Sequence, residues 1–351
     1  MLAYQAQVDT VGVRTVTLMF GMQLLKVAMV IACAFGPACR ASKVKAKAEI
    51  ERAKSAAGFI VKEIPPEVLR FLGWTRKNAG YRLRRVKRNK DLFELFSGSG
   101  GLSDAFENDG GRVTRFDMKN DPVQQNRCTV EGMALALMTV LSVVAGGLVW
   151  VGFPCTTMVW MARSAMRRTK AFPEGNCMRA DMRDANFMAW YCARLLCICH
   201  LRGVRYIIEQ PATSVLWRLR PMVWLEEETH AGRVFGDLGV WGHSMTKPSV
   251  FKGTAWYMHK LGKTLTKIQK QTKDKKHVNS IQPNGKKQVR GKKDLKASEH
   301  YPKNMCKLIS AAAMKRPMQE DALMVPSKKQ KIGARGVKSK KAAFGQSMVS
   351  T

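Results

Sequence analysis

The sequence predicts an α/β protein with an open, mostly parallel sheet. Short apolar segments alternate with helical patterns between residues 91 and 229, which is typical of parallel sheets with helices on both faces. The segments "GRVFGDLGVWG" and "KPSVFKGTAW" then follow each other around a turn. They predict an antiparallel hairpin at the end of the sheet. The 351 residues are 46% hydrophobic, so the chain can bury a core.

The individual elements follow in a regular order. Apolar runs predict strands at 91–96, 112–118, 147–153 and 204–209. Helical spacing predicts helices at 102–109, 131–145, 182–203 and about 213–229. We therefore place the main domain at 81–258.

Residues 1–80 form an N-terminal apolar and helical extension without clear boundaries. Within it, residues 16–37 are about long enough to span a bilayer, but Lys26 interrupts the apolar run. A membrane or secretory segment and an amphipathic or buried helix both remain open.

Positive charge is concentrated beyond the main domain. The formal net charge is +34, and residues 260–341 contain 24 Lys or Arg against 5 Asp or Glu. We predict that 259–351 is a basic, largely disordered tail, interrupted by a short helix at 301–314. The charge favours a polyanionic partner such as nucleic acid. Basic pairs at both ends of 315–331 predict nuclear import, with a solvated basic tail as the alternative.

The cysteines indicate a reducing compartment and no metal. Nine cysteines without a regular spacing do not form a disulfide framework. Cys192, Cys197, Cys199 and His200 share one predicted helix, without the separate Cys-x-x-Cys units typical of zinc sites. We expect these cysteines to lie in the core.

Three candidate site segments each follow a predicted strand. The first is the glycine turn in "LFSGSGGLSDAF", with Asp117 at the end of the next strand, where an acidic residue can meet ribose hydroxyls. The second is Cys155 in "GFPC", and the third is Glu209 in "YIIEQP". Because α/β sheets bind ligands at the carboxyl ends of their strands, we expect the three segments to share one crevice.

These segments resemble the cytosine-5 DNA methyltransferase family, including its compact phage-type members. "LFSGSGGLSDAF" is similar to the cofactor motif of that family, "GFPC" to its Pro-Cys nucleophile motif, and "IIEQP" to its Glu-Asn-Val or Glu-Asn-Pro motif. "TKPSVFKGT" is similar to a Lys-Pro-Thr segment of phage-type members. The resemblance covers roughly 91–256, with the motifs in the family's order.

The resemblance implies a Rossmann-like S-adenosylmethionine-dependent methyltransferase sheet, mostly parallel with an antiparallel terminal hairpin and a basic flexible tail. Its implied activity is methylation of a flipped cytosine in DNA, with S-adenosylmethionine as cofactor. Cys155 would be the nucleophile that adds to cytosine C6, and Glu209 would bind the base. The residues implied to line the cofactor pocket are Phe96, Gly98, Gly100, Asp117 and Pro154.

Departures from the family pattern keep two alternatives open. Val159 stands near the position of a family serine, and the Gln-x-Arg-x-Arg segment is absent, although Arg163, Arg167 or Arg168 could substitute for it. No large target-recognition segment is evident. A catalytically inactive nucleic-acid-binding protein and an RNA cytosine methyltransferase are therefore the alternatives, with DNA favoured over RNA.

Overall fold

The computed structural model describes residues 58, 60–159, 166–243, 245–266, 269, 279–281, 287–289 and 300–315. The apolar segment 16–37 and nearly all of the two-part basic segment 315–331 lie outside the described residues. Within the described part of the chain, no helix is long and apolar enough to cross a membrane.

Helices and strands alternate along the chain as the apolar pattern predicts. The helices are α1 (Pro66–Phe71), α2 (Arg76–Arg85), α3 (Gly101–Asn108), α4 (Val130–Ser142), α5 (Ala180–Leu201), α6 (Arg220–Thr229) and α7 (Lys303–Met314). The strands are β1 (Lys90–Leu95), β2 (Val113–Phe116), β3 (Val143–Val151), β4 (Arg205–Pro211), β5 (Gly232–Asp237), β6 (Pro248–Gly253), β7 (Asn279–Ile281) and β8 (Lys287–Val289).

Six strands form one mixed sheet in the order β2-β1-β3-β4-β6-β5. The strands β2, β1, β3 and β4 are parallel, whereas β6 pairs antiparallel with both β4 and β5. The predicted α/β class, the mostly parallel sheet and the antiparallel terminal pair are thus confirmed. The architecture is compatible with a Rossmann-like fold.

The core lies on both faces of this sheet. One face carries Phe93, Val149 and Ile208 against α4 and α5, and the other carries Leu92, Trp150 and Phe251 against α3 and α7. Strands buried on both faces are almost continuously apolar, which explains why the runs at β1, β3 and β4 were visible in the sequence.

The folded unit extends beyond the predicted boundaries at residues 81 and 258. On the N-terminal side, Ile64 and Val68 are 1% and 0% exposed in the core. On the C-terminal side, Met305 and Ile309 of α7 are completely buried. Both segments carry apolar residues at helical spacing, but the first lies in a polar, mixed stretch of sequence and the second in a Lys-rich one.

Two element boundaries also differ from the prediction. Strand β3 begins at Val143, directly after α4, because its register with β1 shifts between Val143 and Leu148. The predicted helix 213–229 divides into a 3₁₀ turn, Val215–Arg218, and α6. Leu219 is extended and precedes Arg220-Pro221, as expected because proline starts a new helix readily but disrupts a continuing one.

Candidate active site

The three candidate segments lie at the end of the sheet where the parallel strands β1, β3 and β4 have their carboxyl ends. The chain passes from β1 to β2 on one side and later enters β3 on the other side of β1. The carboxyl ends of β1 and β3 therefore border a topological switch point, the place where open α/β sheets bind ligands. Strand β4 is the next neighbour of β3.

The glycine turn after β1 has an unusual backbone. Phe96, Gly98 and Gly100 have φ angles of +62°, +55° and +73°, a region that glycine enters without the Cβ penalty. The Gly98 N–H donates a hydrogen bond of 2.9 Å to Oδ2 of Asp117. A Cβ at Gly98 would meet no atom within 4 Å, so this side of the turn is open. A hydrogen bond thus connects the glycine turn with Asp117, which the sequence had paired by their spacing alone.

Asp117 is already part of a local network. Its Oδ1 accepts a hydrogen bond of 2.9 Å from the Lys119 N–H, and its own N–H donates to Oε1 of Gln125 at 2.7 Å. A carboxylate oxygen has more than one lone pair, so both oxygens can accept a further bond. Asp117 can therefore orient the turn and still receive a ligand hydroxyl.

The Phe96 side chain is part of the core and lies beneath a buried arginine. Its ring is 5.1 Å from the ring of Phe153, and the Arg127 guanidinium lies 3.0 Å from its centroid. Arg127 is 3% exposed, and its Nε and Nη1 have no hydrogen-bond partner among the residues that the structure describes. Desolvation lowers the pKa of Arg127 to about 10. Sequence reasoning missed this residue, because a single arginine in a polar loop carries no distinguishing pattern.

Cys155 lies at the surface of the loop that follows β3. Pro154 is exposed, and Cys155 is partly exposed and not buried in the core. The Met158 N–H donates to the Cys155 carbonyl oxygen at 2.8 Å, which closes a turn directly after the cysteine.

Gln210 ties this loop to the end of β4. Its Nε2 donates to the Phe153 carbonyl oxygen, and its Oε1 accepts from Oγ of Ser214 at 2.9 Å. A second link joins the Val215 N–H to the Met158 carbonyl oxygen at 2.9 Å. The residue next to Glu209 therefore holds the backbone two residues before Cys155, a role that the sequence did not indicate.

Glu209 is 4% exposed and receives two hydroxyl hydrogen bonds. Oγ of Ser249 donates to its Oε1 at 2.6 Å, and Oη of Tyr301 donates to its Oε2 at 3.2 Å. Ser249 belongs to the "KPS" sequence that supported the family resemblance. Tyr301 comes from the chain directly before α7, so the site includes a residue from the predicted tail.

Tyr301 packs closely against the strand that leads to Cys155. Its ring meets Trp150 edge-on at 5.3 Å. A Cβ at Gly152 would lie 2.7 Å from its hydroxyl oxygen and 3.1 Å from the Phe96 carbonyl oxygen. Burial, followed by the nearby Glu209, raises the pKa of Tyr301 well above its ordinary value. Tyr301 was the first residue of the predicted helix 301–314, and no sequence pattern indicated its partner 92 positions away.

A second buried carboxyl group lies in β1. Glu94 is 0% exposed, and its Oε2 accepts a hydrogen bond of 3.0 Å from the Ser103 N–H at the start of α3. Within the described part of the chain, its Oε1 has no hydrogen-bond partner. Desolvation outweighs the Ser103 bonds and raises the pKa of Glu94 to about 7. The carboxyl group anchors α3 behind the glycine turn.

The remaining cysteines on α5 lie in the core. Cys192, Cys197 and Cys199 are at most 2% exposed. Burial raises the pKa of Cys192 and of Cys197 to about 12. Among the residues that the structure describes, no group of three or more His, Cys, Asp or Glu side chains is arranged to hold a metal ion.

Of the arginines proposed as substitutes for the family's Gln-x-Arg-x-Arg segment, Arg163 lies outside the described residues. Arg167 is exposed, whereas Arg168 is 1% exposed. The Arg168 Nη1 donates to the Pro173 carbonyl oxygen within its own loop. Arg168 therefore shapes the loop that follows Cys155.

The protein is thus an α/β protein that carries a thiol, a carboxyl group and a glycine turn at the carboxyl ends of neighbouring strands. A search of protein families finds none that matches this chain, and a search of curated proteins finds no similar sequence. The functional interpretation therefore depends on the site's own geometry and on its motifs.

Proposed function

We propose that the protein is an S-adenosylmethionine-dependent DNA (cytosine-5) methyltransferase. The observation that carries this proposal is the placement of Cys155 and Glu209. Cys155 follows β3, Glu209 lies near the end of the neighbouring parallel strand β4, and Gln210 links the two segments. This arrangement agrees with the order of the motifs by which the sequence resembles the methyltransferase family.

The proposed chemistry uses both side chains on one base. The Cys155 thiolate forms a bond to cytosine C6, because C5 alone is a poor nucleophile. Glu209 holds the Watson–Crick edge and favours protonation at N3, which accepts electron density from the addition. C5 then takes the methyl group and loses its proton, and the C6–S bond breaks to release the thiolate.

The glycine turn fits a nucleoside-type cofactor. Gly98 presents an open backbone surface, and Asp117 lies 2.9 Å away with further hydrogen-bonding capacity. Phe96, Gly100 and Pro154 complete the proposed cofactor-binding set. S-adenosylmethionine bound there would supply an electrophilic methyl group, and this chain would orient it towards the loop that carries Cys155.

The proposed partner is nucleic acid, and DNA is favoured. A net charge of +34 supports phosphate binding, which can offset the few kcal/mol needed to extrude a base. We also propose a nuclear location, on the two-part basic segment at 315–331.

A second candidate is a nucleic-acid-binding protein without turnover. Two observations favour it: both Glu209 oxygens already accept hydroxyl hydrogen bonds, and Val159 stands near the position of the family serine. An RNA substrate is the third alternative.

Calorimetric titration with S-adenosylmethionine, followed by a trapping assay, separates these candidates. We expect cofactor binding and a covalent adduct with DNA that contains 5-fluorocytosine. The adduct should disappear in Cys155→Ala but persist in Cys177→Ala, which removes an exposed thiol in the same region. Binding of DNA without cofactor binding or adduct would favour the inactive protein. Methylation of RNA but not of DNA would identify RNA, in place of DNA, as the substrate.

A further inference from the structure

A basic groove is lined by segments that come after Cys155 and after Glu209 in the chain. It has a volume of about 620 Å³ and lies between the loop 170–174, the segment 212–223 and strands β5 and β6. Clefts of this size commonly bind ligands. The glycine turn and Asp117 do not line it, so it is separate from the proposed cofactor site.

The two walls of the groove continue from the two proposed catalytic segments. One wall, which includes Lys170, belongs to the loop after Cys155. The other begins at Ala212 and Ser214, directly after Glu209-Gln210-Pro211. Ser214 donates to the Gln210 side chain, which in turn holds the backbone ahead of Cys155. The groove is therefore lined by residues that follow the two proposed catalytic segments in the chain, and Ser214 connects one wall to the Cys155 loop through Gln210.

Four exposed cations line the groove: Lys170, Arg218, Arg220 and Arg233. Among the described residues, none of these groove cations forms an ion pair with a carboxylate. Of the described residues in the lining, Glu174 is the one that is acidic. Nearby Glu226 forms an ion pair with Lys252, which does not line the groove. The groove thus carries a positive charge that this part of the protein leaves uncompensated.

Aromatic side chains accompany these charges. Phe235 lines the groove on the edge strand β5 and is 56% exposed. Trp217 also lines it and lies 5.1 Å below the Lys252 ammonium group. Phe172, between two lining residues, is 68% exposed. Positive grooves with aromatic surfaces suit nucleic-acid strands, because phosphates pair with the cations while bases stack on the rings.

We propose that this groove binds the phosphate backbone of the DNA strand that carries the target base. The identity of the bound strand rests on the proposed methyltransferase function. The binding of DNA in the groove does not rest on it. The cations, rather than the thiol and the carboxyl group, supply most of the affinity here.

Neutralising the groove cations tests the proposal. The full chain and a variant with all four replaced by Gln are titrated into labelled duplex DNA over a range of salt concentrations. The variant should bind at least about 100-fold more weakly at moderate salt. The magnitude of the slope of log K against log salt should fall by about 3.6, from roughly 0.9 for each of the four lost phosphate contacts.

A control variant removes the same number of charges from the exposed surface of α2. Its four substitutions, all to Gln, are Arg76, Lys77, Arg82 and Arg84. We expect its salt slope to change by less than about 1. Equal losses in the two variants would overturn the proposal, because the affinity would then come from net charge and not from the groove. Unfolding midpoints of both variants identify any loss of folding.

Two further measurements distinguish this proposal from the proposed function. S-adenosylmethionine binding should be unchanged in the groove variant, because no cofactor residue is altered. If the wild-type protein binds DNA through the groove but does not bind S-adenosylmethionine, this result would contradict the proposed methyltransferase function and leave the groove proposal standing. A single-stranded RNA that binds tighter than DNA, with the same dependence on the groove cations, would overturn the assignment to DNA.

Discussion

The hydrogen bond between Tyr301 and Glu209 provides the sharpest test of the site, since it joins the C-terminal helix to the proposed catalytic carboxyl group. Tyr301→Phe removes only the hydroxyl that donates to Oε2 at 3.2 Å. A buried acceptor that loses its donor costs about 1–3 kcal/mol. Because Glu209 keeps the Ser249 bond, we expect a loss of about 1–2 kcal/mol. For a folded unit of this size, the unfolding midpoint should fall by roughly 2–8 °C.

A double-mutant cycle separates this bond from general effects on the core. Tyr301→Phe and Glu209→Ala are measured singly and together by urea unfolding. The control cycle pairs Glu209→Ala with Tyr206→Phe, which loses a buried 2.6 Å hydroxyl contact with Thr229. We expect a coupling of about 1 kcal/mol for Tyr301 and near additivity for Tyr206.

The refuting result is additivity of the Tyr301 and Glu209 changes within about 0.5 kcal/mol, the usual limit for residues that do not interact. An unchanged unfolding midpoint in Tyr301→Phe would lead to the same conclusion. Either result would remove Tyr301 from the site and return α7 to a purely structural role.

Three further predictions concern the surroundings of the site. Mild alkylation of the native protein, mapped by mass spectrometry, should modify the partly exposed Cys155 but not Cys192. Cys192 is protected because burial raises its pKa to about 12. Preferential labelling of Cys192 would contradict the placement of α5. Because burial raises the pKa of Glu94 from 4.5 to about 7, its contribution to stability falls as pH rises through that range, by up to about 3 kcal/mol. Glu94→Gln should therefore gain stability relative to wild type between about pH 5 and about pH 8 in urea unfolding, and parallel pH profiles would show that this carboxyl group is not buried. Gly152→Ala places a methyl group 2.7 Å from the Tyr301 hydroxyl and should lower the unfolding midpoint, less so when Tyr301→Phe is also present; strictly additive midpoints would argue against that contact.

Much of the sheet was predictable from local patterns. The runs at β1, β3 and β4 are apolar because both faces of these strands are buried. The hairpin of β5 and β6 was also predictable, since two strand-like segments follow one another around a turn. The register shift at the start of β3 was not, because it depends on how Lys90 meets Val143 across the sheet.

The site was predictable only where its residues lie within short motifs. The glycine turn, Cys155 and Glu209 each occur in a recognisable segment at the end of a strand. Arg127, Gln210 and Tyr301 act through partners that are distant in sequence or on neighbouring strands, so no spacing reveals them. Predicting that the region after 258 is a tail followed from its charge, yet α7 buries one apolar face inside that basic stretch.

The sequence alone determined the fold class, the order of strands along the chain and the position of the candidate site segments, because periodicity and turn residues are local properties. Only the tertiary structure decided which segments meet. It brought Asp117 to the glycine turn, Gln210 to the Cys155 loop and Tyr301 to Glu209. These contacts arise from strand order and from the burial of α7 against the sheet, and a linear pattern does not encode which distant partner will satisfy a buried polar group.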